Sequence, residues 1–154
     1  MSELLAYKRV RFGTRLPTDR RYTRSHYWLK ETEPGLWHVG FTKFAIRMLG
    51  DMVELQIEPN SGVPVEIGAK IGWIEGFKAV SDIFSVAQGS FCKSNPNLKS
   101  DITLLESDPY NQGWLYSING TPEPASVDVH GYVGILDATI DKMLASRHDE
   151  GDLK

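Results

Sequence analysis

The sequence predicts a mainly β domain, a small barrel or sandwich with helices as accessories. Three observations predict it. Short strand-like runs recur from residue 22 to about residue 118, and turn signals rich in Gly, Pro, Asn and Asp separate them. Helical periodicity is confined to two places, residues 43–49 and 133–144. The 154 residues suit one compact domain, and 41% hydrophobic with 24% charged residues is an ordinary soluble composition. No apolar stretch approaches the roughly 18 residues of a membrane span. One cysteine excludes an internal disulfide framework and a Cys-rich zinc site, and fits a reducing compartment.

Charge divides the chain. Residues 1–24 carry Lys8, Arg9, Arg11, Arg15, Arg20, Arg21 and Arg24 against Glu3 and Asp19, a net +5 that leaves −8 on residues 25–154. Residues 1–21 therefore read as a basic N-terminal extension on an acidic body. It either folds back onto that body or sits in solvent. Tyr7, Phe12 and Tyr22 are interleaved with its cations, but the body offers no basic face to extend a nucleic-acid contact, so none is expected. Leu4-Leu5-Ala6 is too short for a secretory h-region.

The elements follow in order. Tyr22–Lys30 is rich in β-favouring residues, Glu31-Thr32-Glu33-Pro34-Gly35 is a turn, and Leu36–Phe41 returns as the second strand of a hairpin. Thr42 is an N-cap for a short helix over Lys43–Leu49, closed by Gly50, with Phe44, Met48 and Leu49 as its core face. Asp51–Glu58 alternates, and places Val53, Leu55 and Ile57 inward. Turns at Pro59–Gly62 and Ile67–Lys70 precede two runs, Ile71–Gly76 and Val80–Val86, that only Phe77-Lys78-Ala79 separates. Ser90–Lys93, Leu98–Leu105 and Trp114–Ile118 continue the series of runs. Thr121–Pro124 reads as a linker within the domain. Val133, Leu136, Ile140, Met143 and Leu144 share one face of a C-terminal helix, and residues 147–154 read as a frayed tail.

The chain is poorly equipped for catalysis. Its four histidines are scattered without metal-ligand spacing, and it has no nucleophile elbow, phosphate loop or dinucleotide fingerprint. Cys92, beside Phe91 in a strand-like run, reads as a small buried thiol. Lys78 stands apart. A lysine between strand runs three residues apart lies at or next to a hairpin tip, where its amine is open to a modifying enzyme.

Around that lysine the chain resembles the H-protein family of the glycine cleavage system, from about Tyr22 to Leu144. Tyr22-Thr23-Arg24-Ser25-His26-Tyr27-Trp28 is similar to the family's Y-[ST]-x-x-H-E-W opening. Val39-Gly40-Phe41-Thr42-Lys43-Phe44-Ala45 with Leu49-Gly50-Asp51-Met52-Val53 resembles V-G-I-T-x-x-A…L-G-D-[IM]-V. Glu75-Gly76-Phe77-Lys78-Ala79-Val80-Ser81-Asp82 resembles E-S-V-K-A-x-S-D, whose lysine is lipoylated. Asp108-Pro109-Tyr110 with Gly113-Trp114-Leu115 resembles D-P-Y-x-x-G-W-[LM], and Leu136-Asp137-Ala138 the start of the closing helix.

The resemblance implies a barrel-sandwich hybrid over residues 22–146, with a short internal helix and a C-terminal helix. It implies lipoic acid as an amide on Lys78, in a non-catalytic carrier that meets a lipoate ligase and partner enzymes. Glu75 and Asp82 would present the hairpin to the ligase or the arm, and Tyr27, Phe77 and Trp73 are candidates for a docking surface, with Trp73 equally a candidate for the core. A cytoplasmic monomer is expected. Biotin carriers favour Met on both sides of the lysine; Phe77 and Ala79 stand here instead.

Two departures bear on the cargo. The acidic residue between His and Trp, which in the family receives a cationic aminomethyl group, is Tyr27, and a phenol forms no ion pair with an ammonium at neutral pH. Gly76-Phe77 replaces Ser-Val before the lysine. Together they resemble the H-protein-like lipoate-binding proteins of bacterial sulfur oxidation. On that reading Lys78 carries a sulfur-bound intermediate and reducing equivalents to a heterodisulfide-reductase-like complex. The alternative is the aminomethyl carrier of the glycine cleavage enzymes.

Overall fold

The computed structural model describes residues 3–152. In chain order the elements are β1 (Leu4–Arg9), β2 (Phe12–Pro17), β3 (Arg21–Tyr22), β4 (Tyr27–Glu33), β5 (Leu36–Phe41), α1 (Lys43–Leu49), β6 (Met52–Ile57), β7 (Pro64–Val65) and β8 (Lys70–Gly76). Then follow β9 (Val80–Phe84), β10 (Ala87–Ser94), α2 (Asn97–Ser100), α3 (Leu104–Ser107), β11 (Tyr116–Pro122) and α4 (Val129–Asp152). The expected class, mainly β with a short internal helix and a C-terminal helix, is the observed one.

Two antiparallel sheets enclose the main core. The larger has the order β3-β4-β5-β11-β10-β7 and the smaller β6-β8-β9. Leu29, Val39 and Ile118 face inward from the first and Ile74 and Ile83 from the second, all fully buried. Burial of this kind contributes about 1.5–3 kcal/mol per large apolar side chain, so these layers hold the sheets together.

A second core gives the N-terminal segment its structure. The β1–β2 hairpin buries Tyr7, Phe12 and Leu16 against Tyr22, Trp28, Phe44 and the Tyr132–Leu136–Ile140 face of α4. Arg9 makes a two-pronged contact with Asp141 at 2.8 Å, and Tyr7 donates to Asp137 at 2.8 Å. The basic extension is thus a folded hairpin laid on the body rather than an arm in solvent. Its exposed ion pairs add little beside this apolar contact.

Helix α1 follows the sequence closely. The Thr42 hydroxyl accepts the Ala45 N–H at 3.4 Å, and the Gly50 N–H closes on the Ile46 carbonyl at 3.1 Å. Phe44 and Leu49 are buried, but Met48 is exposed. Several other expectations need correction. A bulge between Met52 and Glu54 turns Met52 inward and Val53 out to solvent, because the extra residue breaks the two-residue alternation. Leu98–Leu105 forms two short helical turns, α2 and α3. Asn95 Oδ1 accepts the Asn97 N–H and Asp101 Oδ1 the Thr103 N–H, both at 3.0 Å, side-chain turns that compete with strand pairing. Strand β11 begins at Tyr116, two residues after Trp114, and runs on through Thr121 and Pro122 of the expected linker. Cys92 is half-buried at a bulge in β10, its sulfur 3.5 Å from the Asn119 amide nitrogen. Beyond Ile140, α4 outruns the second core, which leaves Met143 and Leu144 exposed, and it continues as helix through 147–152, expected to fray. Among the described residues no helix is long and apolar enough to cross a membrane.

His26 ties the two helices together. It adopts φ +70°, its Nδ1 lies 2.8 Å from the Tyr132 hydroxyl, and that hydroxyl lies 2.7 Å from Thr42 Oγ1. Burial pushes the imidazole down to about 4, so the ring is neutral in the fold. The unfolded chain binds the extra proton below about pH 6.5, so stability falls as pH drops from there toward 4. Asn tolerates positive φ and does not titrate. His26→Asn is therefore expected to melt lower at pH 7 but to show a flatter melting curve against pH over 6.5–4. Parallel curves for the two proteins would show that His26 is not the titrating group.

Candidate functional site

Lys78 sits in the middle of the three-residue loop, Phe77-Lys78-Ala79, that joins β8 to β9. The Gly76 N–H donates to the Ala79 carbonyl at 2.9 Å and closes the loop. The tip is then locked onto the end of α1: Phe77 N–H donates to the Asp51 carbonyl and Lys78 N–H to the Leu49 carbonyl, each at 2.9 Å. The Lys78 N–H thereby satisfies a carbonyl that the C-terminus of α1 leaves open. The fit demands two glycines. A Cβ on Gly76 would stand 2.2 Å from the Leu49 carbonyl oxygen. Gly50, at φ +81°, would place its Cβ 2.9 Å from Lys78 Cγ. Leu49-Gly50-Asp51 and Gly76-Phe77-Lys78 are thus two halves of one junction.

The lysine itself is exposed, and its amine reaches back across Gly50 to donate to the Arg47 carbonyl at 3.3 Å. Phe77 beside it is 80% exposed. A cleft of about 370 Å³ opens next to the amine, bounded by Phe12, Ile46, Arg47, Gly50, Phe77 and Glu106. The arrangement presents a primary amine at a fixed point beside a recess lined by aromatic, aliphatic and charged side chains. That suits a lysine acylated by a long chain: the amine is accessible, the loop cannot drift, and the attached chain has a surface to lie on.

The other residues singled out in the sequence are placed unevenly. Trp73 pairs with Asp82 and Glu75 with Val80 across β8 and β9, so all four share the outer face of the small sheet. Asp82 forms an ion pair with Lys70 at 3.2 Å, and among the described residues no hydrogen bond or ion pair joins Lys78 to Asp82 or Glu75. Trp73 is half-buried. Tyr27, expected on a docking surface, lies inside the fold. It is 4% exposed, its ring stacks on Phe41 with centroids 5.0 Å apart, and its hydroxyl accepts the Phe84 N–H at 3.3 Å. Burial pushes its phenol up to about 12. Sequence reasoning missed Phe12 and Arg47 as cleft residues. The only signal was an aromatic set among cations, and nothing local says that it folds over α1.

Comparison with known proteins adds to this geometry. Residues 20–129 match the family model for the glycine cleavage H-protein. The chain is 34% identical over 125 residues to the glycine cleavage system H protein of Klebsiella pneumoniae, covering 79% of this chain and 96% of that one. It is 37% identical over 111 residues to that of Streptomyces coelicolor, covering 72% and 88%. The crystal structure of the glycine cleavage system H protein from Mycobacterium marinum superposes with a TM-score of 0.70 at 34% identity, covering 77% and 97%.

Proposed function

Because the chain belongs to the glycine cleavage H-protein family, whose members are non-catalytic carriers of lipoate held covalently on a lysine, we propose that Lys78 is its attachment residue and that it shuttles a group between glycine cleavage enzymes. The observation that carries the assignment is the junction just described: an exposed lysine at a loop tip that α1 holds in place. Bound through an amide, lipoate supplies a cyclic disulfide that opens to a dithiol and holds a group on sulfur. The protein's part is presentation. The glycines at 50 and 76 let the backbones meet, the loop fixes the origin of the arm, and acylation removes the lysine charge. A rigid origin keeps the arm's end at high effective concentration for each docked partner. Lipoate ligase and the glycine cleavage enzymes are the partners this reading requires, and a monomer in the cytoplasm is its simplest form. Residues 22–146 form the carrier domain, with the N-terminal hairpin as an addition to it.

Tyr27 favours a second reading. Its buried, neutral phenol stands where the family's pattern has a carboxylate for a cationic aminomethyl group. A sulfur-bound cargo handed to a heterodisulfide-reductase-like complex has no need of that carboxylate.

The intact mass of the protein from its native host tests the carrier assignment. An increase of one lipoyl group is the expected result, and an unmodified mass that a lipoate ligase also fails to raise would sink it. Glycine–carbon dioxide exchange with purified glycine cleavage enzymes then separates the cargoes. Activity on addition of the lipoylated chain is expected for the aminomethyl carrier, and none for the sulfur carrier.

A further inference from the structure

The tip of the N-terminal hairpin, helix α1 and the far end of α4 enclose a second groove, of about 460 Å³. Phe12, Phe44 and Ile140, all buried, form its floor. Around that floor stand Val10, Met48, Met143 and Leu144, which are 57, 39, 38 and 38% exposed. Met143 and Leu144 continue the Ile140 stripe of α4 by one turn past the second core, so the stripe ends without a partner. Four apolar side chains gathered at one groove differ from the single ones scattered over an ordinary surface. Val10 is the sharper sign. It takes the first position of the two-residue loop between β1 and β2, at φ +55°. Such a position ordinarily holds Gly, Asn or Asp, and a β-branched residue there is strained. Val10 joins neither core, so the fold gains no buried contact in return for the strain. The charge is also one-sided. The lining holds Arg9, Arg11, Arg47 and Arg147 and no carboxylate. Arg9 is held by Asp137 and Asp141, but among the described residues no carboxylate pairs with the other three.

We propose that this groove is the docking site for an acidic amphipathic helix of a partner enzyme, and that the N-terminal hairpin completes it. A helix fits because two of the three walls are helices and the apolar floor runs between them, as in other helix-in-groove contacts. Its apolar face would meet Val10 and the two methionines, whose unbranched side chains adapt to a partner's shape, and its carboxylates would meet Arg11, Arg47 and Arg147. A protein segment suits the groove better than an anionic membrane or a nucleic acid. The surface around it belongs to a body with −8 on residues 25–154, which repels an extended anion and leaves a short acidic segment free to enter. Phe12 and Arg47 line both this groove and the cleft beside Lys78, so a helix seated here brings its enzyme next to the lysine loop. Naming the occupant as a partner enzyme rests on the carrier reading; the groove itself does not. The hairpin lies before residue 20, where the family match begins, so this recognition is an addition to the carrier domain.

The test titrates the full chain, followed by NMR, with a synthetic helix of about 18 residues that has Leu at i, i+3, i+4 and i+7 and Glu elsewhere. The resonances of Val10, Arg11, Met48, Met143 and Leu144 are expected to shift, and the same peptide with Lys in place of Glu is expected to leave them unmoved. Shifts confined to other surfaces, no shifts, or equal binding of the Lys peptide would overturn the proposal. So would shifts of these resonances with anionic phosphatidylglycerol vesicles and not with the peptide, or on raising the concentration of the chain alone, which would make the occupant a membrane or a second copy. Two variants check the parts. Arg11→Glu with Arg147→Glu is expected to weaken binding about tenfold, and neither arginine has a carboxylate partner whose loss would unsettle the fold. Val10→Gly relieves the loop, so it is expected to melt no lower than wild type while binding about threefold more weakly. Wild-type affinity in both variants would overturn the proposal. The peptide needs no lipoyl group, so these results are independent of the intact mass that tests the carrier assignment.

Discussion

Lys78→Arg is expected to abolish lipoyl incorporation by a lipoate ligase, from one group per chain to none, with no loss of fold. Acylation requires a primary amine that can lose its proton, and a guanidinium keeps its charge at any accessible pH. The other lysines among the described residues do not substitute, because none of them sits on a loop held by the end of α1. Lys43 is engaged with the Glu106 carbonyl, Lys70 with Asp82, and Lys30 lies 3.5 Å from Asp19. The side chain of Lys78 makes one long hydrogen bond to Arg47 and is otherwise in solvent, so its replacement is expected to move the melting temperature by no more than about 2 °C. Intact mass and thermal melting of the same sample check both halves. Residual incorporation in Lys78→Arg would place the attachment elsewhere.

The Lys78 hairpin was legible because its determinants are local. Two strand-like runs three residues apart fix a tip, and Thr42 and Gly50 bound the helix beneath it whatever the rest of the chain does. What the sequence did not show depends on contacts between distant segments. Phe12 reads as an aromatic in a basic stretch until α4 and Phe44 give it a core to join. Val53 continues a regular alternation, and only a bulge paired against β8 turns it outward. Leu98 and Leu105 are apolar in either a strand or a helical turn, and the side-chain oxygens of Asn95 and Asp101 decide between them. Tyr27 is the instructive case at the site. Resemblance singled out the position, but a residue type cannot say whether the position opens to solvent. That depends on its cross-strand partner.

That partner is Phe41, which directly opposes Tyr27 between β4 and β5 where the family's pattern has Ile. Tyr27 and Phe41 therefore depart from the pattern as one pair: the rings stack and fill a place that a smaller pair would leave open. Tyr27→Glu, the change that restores the family's residue, is then expected to fail as a simple reversion. A carboxylate here is buried against an aromatic ring with one donor nearby, the Phe84 N–H. The cost is about 3–5 kcal/mol near neutral pH, or roughly 10 °C in melting temperature for a chain of this size. Its sign with pH follows from burial. The folded-state pKa of the new carboxyl is raised above its unfolded value of about 4.3, so the penalty grows as pH rises from there, and the variant is closer to wild type at pH 5 than at pH 8. Tyr27→Phe, which loses only the hydroxyl contact, costs about 1 kcal/mol. Adding Phe41→Ile to Tyr27→Glu is expected to recover part of the loss, because the smaller side chain lets water reach the carboxylate. Thermal melts of the four proteins at pH 5 and pH 8 decide the matter. A Tyr27→Glu protein that melts with wild type at pH 8 would mean that the site is open to solvent and that Tyr27 alone, without Phe41, sets what it accepts.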